Sequence, residues 1–485
     1  MKRVLLVLAL CLLLLASVLL VNALRFNSRQ VQVEPVIPLS VDQNRIAERL
    51  SQAIRFQTVS YHDAAQPQGE EFLALHEYLK ETFPKVHSSL TKETVNTYSL
   101  LYTWKGSDET LKPILLMAHL DVVPVEPASE ADWQHPPFEG RIQDDYIWGR
   151  GTLDDKAGVT GLLEAVETLL AEGFQPKRTI YLAFGHDEEL GGPNGAAKIA
   201  ELLLSRKVEL DYVLDEGLII ASGILPVTKP VALIGIAEKG FVSLELSVET
   251  EGGHSSMPPP STAVGILSEA VNKLEEGQMP GEIKGAVAQM FDYIGPEMPL
   301  GKKLLFANLW LFEPLVVRQL SAAPGTNAAL RTTTAATMIE GGVKENVLPT
   351  RAQAVVNFRI LPGDSIEGVI AHVRDTVADP RVEVSRYGVS GFEPSGISDV
   401  NNSNFQALQR TIAQVFPEVV VAPGQVLGGT DSRHYGKLSN NIYRFLPHRY
   451  VAEDLVRPHG TNERISIEDY ARSVRFYHQL IRNTA

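Results

Sequence analysis

Two adjacent carboxylates, Asp154 and Asp155, stand where a loop meets a helix in this sequence. Gly149 and Gly151 permit a tight loop just before them, and apolar residues recur at helical spacing from Ala157 onward. Taken alone, the pair is most simply explained as a helix N-cap, which the helix dipole also favours. Carboxylates can also ligate metal ions, and four other strand ends or loops of this chain carry complementary ligands.

Five residues have the side chains that a two-metal site requires: His119, Asp154, Glu189, Asp215 and His459. Two neighbouring cations need a carboxylate between them, and Asp154 is suited to that bridge. Each metal then needs one imidazole and one further carboxylate. Such ligands suit catalytic zinc, so we expect two Zn²⁺ per subunit, with Co²⁺ or Mn²⁺ as substitutes.

Two further residues are suited to assist such a site. Asp121 follows His119 by two positions on the same strand face, where it can hold the other imidazole N–H. Glu188 is the neighbour of Glu189 and points elsewhere, which leaves it free to take a proton from a metal-bridging water.

The elements that position these residues alternate between strands and helices. Strands are predicted at 113–121, 179–185 and 210–214, and helices at 43–56, 69–82, 156–172 and about 194–206. This order predicts an α/β, doubly wound, mostly parallel sheet with helices on both faces. In such sheets, sites form beyond the carboxyl ends of the strands, where the polar clusters of this chain fall.

The pattern changes near residue 240. Strands at 241–250, about 328–340, 351–361 and 381–387, with helices at about 261–275 and 364–378, give a β-α-β-β-α-β order. We therefore expect an inserted α+β, ferredoxin-like domain at 241–390, between the two parts of the larger domain at 42–240 and 391–485. The segment 277–326 has no assigned place in this scheme.

Residues 1–24 carry a targeting signal, because Lys2 and Arg3 precede an apolar run from Val4 to Val21. The run is longer than a typical secretory signal, although residues 21–23 resemble a cleavage site. We expect a retained membrane anchor with an extracytoplasmic enzyme, or a secreted protein if the segment is cleaved. Residues 25–41 form a polar linker.

Composition restricts the partners and the redox chemistry. The 485 residues carry a formal net charge of −14, which argues against nucleic acid as a partner. The only cysteine, Cys11, lies in the apolar N-terminal run, so a metal site in the folded part must use His and carboxylates.

Four short motifs, at 117–124, 149–156, 187–189 and 253–256, resemble the aminoacylase/carboxypeptidase S/glutamate carboxypeptidase family of dinuclear zinc hydrolases. The resemblance extends from about residue 43 to the end of the sequence. Residues 309–315 and 331–362 are most similar to the branch that contains N-fatty-acyl-amino-acid synthase/hydrolase and carboxypeptidase S. The resemblance implies a zinc-peptidase domain whose inserted domain serves as a lid and in dimerisation.

The resemblance also implies roles for the clustered residues. It implies His119 and Asp215 on one zinc, Glu189 and His459 on the other, Asp154 as the bridge and Glu188 as general base. It further implies a cis peptide between Asp154 and Asp155.

The inserted domain supplies residues that look unremarkable one by one. His254 reads as a loop histidine, Asn346 as a turn residue and Arg359 as a surface charge on a strand. The resemblance implies that His254 stabilises the oxyanion, often from a second subunit of a homodimer, while Asn346 and Arg359 bind substrate. Gly429 belongs to a loop that lines the pocket of this family.

The implied reaction is hydrolysis of an amide beside an amino-acid carboxylate. Its substrates are N-acyl amino acids, N-fatty-acyl amino acids among them, or short peptides that lose their C-terminal residue. The alternative is a membrane-anchored binding protein that keeps the fold without turnover. A serine hydrolase finds no support, because the sequence contains no Gly-x-Ser-x-Gly elbow.

Overall fold

The computed structural model describes residues 1–61 and 69–485. The helices are α1 (Lys2–Arg25), α2 (Gln43–Ile54), α3 (Gly69–Thr82), α4 (Pro84–Ser89), α5 (Lys156–Ala171), α6 (Ala196–Ser205), α7 (Ala263–Glu276), α8 (Gly285–Ile294), α9 (Leu300–Phe306), α10 (Leu309–Leu320), α11 (Pro324–Leu330), α12 (Ile366–Val377), α13 (Ser403–Val415) and α14 (Ile467–Thr484). The strands are β1 (Thr91–Val95), β2 (Ser99–Trp104), β3 (Ile114–His119), β4 (Arg141–Gln143), β5 (Tyr146–Trp148), β6 (Ile180–Gly185), β7 (Val213–Ala221), β8 (Val231–Glu238), β9 (Gly240–Glu249), β10 (Gly253–His254), β11 (Thr333–Gly341), β12 (Val347–Leu348), β13 (Arg351–Ile360), β14 (Val382–Phe392), β15 (Val420–Val426), β16 (Ile442–Tyr450) and β17 (Arg464–Ser466).

An eight-stranded sheet forms the centre of the larger domain, in the order β1-β2-β6-β3-β7-β16-β8-β15. Strands β6, β3, β7 and β16 run parallel, and β15 runs parallel to β8. Strands β1 and β2 extend the β6 edge in antiparallel fashion. The predicted α/β sheet is confirmed, with a mixed pattern of directions at its edges.

Both faces of this sheet are covered. Leu116 and Ala118 of β3 enter the hydrophobic core that also contains α5 and α14, whereas Leu115 and Met117 enter a second core that contains α6. The alternation follows from the two-residue period of a strand. Because β3 is buried on both sides by apolar residues, its polar residues lie at its carboxyl end, beginning with His119.

The inserted domain has a four-stranded antiparallel sheet in the order β11-β13-β9-β14. Its own core joins alternate residues of β9, such as Val242 and Leu244, with apolar residues of α7 and α12. This is the β-α-β-β-α-β arrangement expected from the sequence, so the ferredoxin-like prediction is confirmed. The last strand extends further than predicted, to Phe392.

The segment that the sequence left unassigned forms helices α8 to α11. Phe291 and Ile294 of α8 lie in the large core, and α8 packs against β15. Helix α1 contacts α9 of the same segment. Among the described residues, α1 alone is long and apolar enough to cross a membrane.

Candidate active site

Three parallel strands deliver polar residues to one edge of the sheet. His119 ends β3 opposite Gly185, the last residue of β6, and Glu188 follows β6 in a short 3-10 helix. Glu216 lies within β7, the other neighbour of β3. The loop before α5 adds Asp154 at the same place. The predicted position of the site, beyond the carboxyl ends of the strands, is therefore where these side chains meet.

Two groups of potential ligands share Asp154. The first contains His119, Asp154 and Glu216, and the second contains Asp154, Glu189 and His459, with the ligand atoms of each group within 4.8 Å of one another. His119 Nε2 lies 2.8 Å from Asp154 Oδ1, and His459 Nε2 lies 3.1 Å from Asp154 Oδ2. His459 Nε2 is also 3.1 Å from Glu189 Oε2. The two carboxylate oxygens of Asp154 therefore point to different imidazoles, as a bridge requires.

The structure places Glu216, and not Asp215, in this cluster. Glu216 Oε1 lies 3.7 Å from His119 Nε2, whereas Asp215 Oδ2 accepts a hydrogen bond of 2.8 Å from the main-chain N–H of Ser432. The pairing of β7 with β16 is irregular here: Asp215 pairs with Arg444, and the next pair begins at Leu218. The extra residues form a bulge that directs Glu216 to the cluster, a common device beside active sites.

The acidic pair serves both of the roles considered for it. Asp155 Oδ1 accepts a 3.1 Å hydrogen bond from the N–H of Gly158 and so caps α5. Asp154 belongs to the ligand cluster. The peptide between them is cis, as the family resemblance implies.

Asp121 contacts both the turn that carries Glu188 and Glu189 and the imidazole of His119. Its two carboxylate oxygens accept hydrogen bonds of 3.1 Å from the main-chain N–H groups of Glu188 and Glu189. Ser60 Oγ donates to the same carboxylate at 2.7 Å. His119 Nδ1 lies 3.0 Å from the main-chain oxygen of Asp121 and 3.4 Å from its carboxylate. Asp121 therefore orients both the first imidazole and the turn that carries Glu188.

Glu463 also belongs to this site, although no motif or periodicity in the sequence points to it. Its Oε1 accepts hydrogen bonds from the N–H groups of Gly151 at 3.0 Å and Leu153 at 2.8 Å. Its Oε2 lies 2.6 Å from Nη1 of Arg150, and both side chains are buried. Glu463, which follows His459 by four residues, thus fixes the loop that presents Asp154.

Carboxylates outnumber imidazoles within the cluster. Burial opposes the charge of Asp154, but hydrogen bonds from His119 and His459 prevail and hold the pKa of its carboxyl well below the usual range. The hydrogen bonds to Asp154 and Glu189 raise the pKa of His459 to about 10. Burial raises the pKa of Glu188 well above its ordinary value. The carboxylates therefore require positive charge close to them.

The donors fit two divalent cations. Glu189 Oε1 is buried and has no hydrogen-bond partner among the described residues, so it has a free lone pair for a ligand. Imidazole and carboxylate donors are those of catalytic zinc, manganese or cobalt centres. His119, Asp154 and Glu216 would hold one cation, and Asp154, Glu189 and His459 the other.

Comparison with known proteins bears on this cluster directly. The model of peptidase family M20/M25/M40 matches residues 115–483, a range that includes every residue of both groups. This chain belongs to that family. It is 46% identical over 477 residues to the probable carboxypeptidase S-like 2 of Dictyostelium discoideum. The matched region covers 96% of this chain and 91% of the relative.

A second relative is the N-fatty-acyl-amino acid synthase/hydrolase PM20D1 of Xenopus tropicalis, 44% identical over 448 residues, or 91% of this chain and 86% of the relative. The fold is similar to that of Sso-CP2, an M20 family metallo-carboxypeptidase from Sulfolobus solfataricus, with a TM-score of 0.64 and 18% identity over 91% of this chain and 99% of that one. The chain is an M20 metallopeptidase-family enzyme related to carboxypeptidase S and PM20D1 proteins, which confirms the predicted branch.

In this M20 chain, two of the inserted-domain residues come together. His254 of β10 pairs with Val347 of β12, and the N–H of Ser255 donates to the main-chain oxygen of Asn346 at 3.2 Å. His254 is exposed, and its Nδ1 lies 2.7 Å from Ser256 Oγ. Among the described residues, no hydrogen bond joins this ribbon to the ligand cluster.

Arg359 and Gly429 also lie outside the cluster. The guanidinium carbon of Arg359 is 5.0 Å from the ring centre of Phe241. A Cβ on Gly429 would approach the ring of Phe392 to 2.9 Å, so this loop is closely packed on the strand that leads back from the inserted domain. Both residues therefore lie near the connections between the domains.

Proposed function

We propose that this M20 enzyme is a dinuclear zinc hydrolase that cleaves the amide bond of N-acyl amino acids. The observation that carries the proposal is the sharing of Asp154 between two complete ligand groups, with Glu188 held beside them. When bound, the two Zn²⁺ ions would polarise the scissile carbonyl and lower the pKa of the attacking water. The proposed ligand set replaces Asp215 with Glu216 and otherwise keeps the residues selected from the sequence.

Glu188 is the proposed general base. It would take a proton from the attacking water and then pass that proton to the leaving nitrogen. Burial raises the pKa of the Glu188 carboxyl, and a higher pKa makes its carboxylate a stronger base towards the proton of the water. Asp121 supports this role because it accepts the main-chain N–H of Glu188 and fixes the turn.

The inserted domain is proposed to bind the substrate. Arg359 suits a bidentate grip on the free carboxylate of the amino acid. His254 would donate a hydrogen bond to the oxyanion, and Asn346, its neighbour across the ribbon, would bind the substrate. Closure of this domain, or a second subunit of a homodimer, would bring the ribbon to the cluster. Gly429 would line the pocket.

The proposed substrates are N-fatty-acyl amino acids, with short peptides that lose a C-terminal residue as the other class. The name of the Xenopus tropicalis relative, an N-fatty-acyl-amino acid synthase/hydrolase, supports the first class. The name of the Dictyostelium discoideum relative, a probable carboxypeptidase, supports the second. The long acyl chain is favoured because α1 would hold an extracytoplasmic enzyme beside lipid, provided that it is retained as an anchor.

The test uses the full chain, purified in detergent and loaded with zinc. Amine release is followed from an N-oleoyl amino acid and from a blocked dipeptide with the same C-terminal residue, with and without a chelator. We expect chelator-sensitive release from the acyl substrate. Glu188→Gln should lose activity by about 10²–10⁴-fold and keep its metal content, whereas Glu201→Gln on the surface of α6 should change neither.

Each other outcome rejects a definite part of the proposal. Release from the dipeptide alone would make the enzyme a carboxypeptidase. Full activity of Glu188→Gln with both metals bound would show that another group is the base. No release from either substrate by the zinc-loaded chain would favour the non-catalytic binding protein.

A further inference from the structure

Helix α1 contacts the rest of the chain along one side of its second half only. Residues 1–14 are all exposed, and Ala23 is buried at 1% exposure. The side chains of α1 and the residue after it that are shielded from solvent share one helical face: Leu15, Leu19, Asn22, Ala23 and Phe26. They pack on α9 and on the turn at Gly295, which the ring of Phe26 covers. The first half of the helix therefore projects freely from the molecule.

A buried asparagine fixes this contact. Asn22 Nδ2 donates to Asn308 Oδ1 at 2.8 Å, and Asn308 Nδ2 donates to the main-chain oxygen of Leu19 at 3.1 Å. Asn308 is 0% exposed and lies between α9 and α10. Trp310 Nε1 donates to the same Oδ1 at 3.2 Å. The position of α1 is thus set by specific polar contacts with the start of α10.

Helix α10 presents an apolar stripe to the outside. Trp310 is 63% exposed, Leu311 40% and Leu315 55%, and Pro314 between them is also exposed. These positions follow the i, i+1, i+4, i+5 spacing of one helix face. Leu300 at the start of α9 adds a side chain that is 62% exposed. We call Leu300, Trp310, Leu311 and Leu315 the apolar stripe.

The register of α1 shows at which depth its contact with α9 and Asn308 lies. The apolar run from Val4 to Val21 spans about 27 Å as a helix, close to the thickness of about 30 Å of a bilayer's hydrocarbon core. Leu15 and Leu19, which face α9, belong to that run. Leu15 lies about 9 Å below Val21 along the helix. A helix that packs on Leu15 and Leu19 is therefore at the level of the outer part of the leaflet.

We infer that α9 and α10 enter the lipid leaflet beside α1, with the apolar stripe in contact with acyl chains. The shielded face of α1 reaches about 9 Å below Val21, within the 5–10 Å at which interfacial helices bury their apolar faces. Trp310 is linked through Asn308 to the main-chain oxygen of Leu19, about 3 Å below Val21. Tryptophan is enriched at that level because its ring is apolar and its N–H polar. The inference rests on the proposed retention of α1 and is independent of the proposed substrate.

The experiment places the full chain in phosphatidylcholine vesicles and follows tryptophan emission. Of the other three tryptophans, Trp104 and Trp148 are buried at 4% and 3% exposure. Trp133 is half-buried and its ring packs against Arg150, beside the ligand cluster. Trp310 is therefore the tryptophan best placed to contact lipid. We expect phosphatidylcholine that is brominated on its acyl chains to quench part of the tryptophan emission. Iodide dissolved in the water should not quench that part. Trp310→Phe should abolish the quenching by brominated lipid.

A second measurement tests the inference independently, in case Trp310→Phe folds poorly. In a Cys11→Ser background, an environment-sensitive dye on Leu315→Cys should show a blue shift in vesicles, whereas the same dye on Lys198→Cys of α6 should not. Quenching of Trp310 by iodide would overturn the inference. Quenching by neither reagent would also overturn it, in favour of a second copy of the chain that covers the stripe. The intact mass of the membrane-extracted protein reports separately on whether α1 is retained.

Discussion

Asp154 contacts both imidazoles of the cluster through different oxygen atoms, and this one residue makes a two-metal interpretation possible. A carboxylate that served only as a helix cap would point its oxygens at main-chain N–H groups, as Asp155 does. The neighbouring aspartates divide the two tasks between them. At the scale of single residues, the site therefore depends on which of two adjacent side chains faces the strand ends.

The same question arises at Asp215 and Glu216, and it has a direct test. Glu216→Gln removes a carboxylate from the first group, so we expect the chain to bind one zinc tightly and the second at least tenfold more weakly. Asp215→Asn keeps an oxygen for the N–H of Ser432 and should retain both metals. Metal content after dialysis, measured by atomic absorption, distinguishes the two. Loss of a metal from Asp215→Asn alone would restore the original assignment.

At the scale of elements, the loop before α5 depends on Glu463. Glu463→Gln would leave the guanidinium of Arg150 buried, at 3% exposure, without its carboxylate. We expect a loss of about 3 kcal/mol in the free energy of unfolding, together with weaker metal binding because the loop carries Asp154. Urea denaturation measures the first effect.

Glu93→Gln is the matched control for this prediction. Glu93 pairs with Arg206 at 2.6 Å, but both side chains are partly exposed to solvent. Removal of such a pair is expected to change the free energy of unfolding by about 1 kcal/mol or less. Equal losses in Glu93→Gln and Glu463→Gln would show that the buried pair does not hold the loop.

Elements with strong local signals were predictable. The helices expected at 43–56, 69–82 and 156–172 are α2, α3 and α5, and the buried strands that end at His119 and Gly185 are present. Helices α8 to α11 were not predicted because they are short, with 7 to 12 residues each, and prolines interrupt the segment. Glu216 was missed because the bulge in β7 forms only when β16 pairs with it. Glu463 was missed because hydrogen bonds to main-chain N–H groups leave no periodic pattern.

At the scale of the whole molecule, two buried histidines should make stability depend on pH. Burial lowers the pKa of His76 to about 4 and that of His448 to about 4, from 6.5. The unfolded chain binds protons below its pKa of about 6.5, where the folded chain does not, so stability falls as the pH decreases from there towards 4. Each histidine should contribute a loss of about 2 kcal/mol between pH 7 and pH 5.

His76→Gln tests this dependence and keeps a donor for the main-chain oxygen of Tyr98, which lies 3.0 Å from His76 Nε2. Urea denaturation at pH 7 and pH 5 should show a smaller loss of stability for the variant than for the original chain, by about 2 kcal/mol. Identical losses would mean that His76 titrates alike in the folded and unfolded states.

Strand β16 lies between β7 and β8 in the sheet, although the ribosome synthesises it long after both. His459 is made later still, and synthesis proceeds from the N-terminus. A chain still emerging from the ribosome therefore has a gap in the middle of its main sheet and lacks one imidazole of its ligand cluster. Products of translation that is interrupted before β16 or His459 should be inactive, and hydrolysis should begin only after both have been made and incorporated.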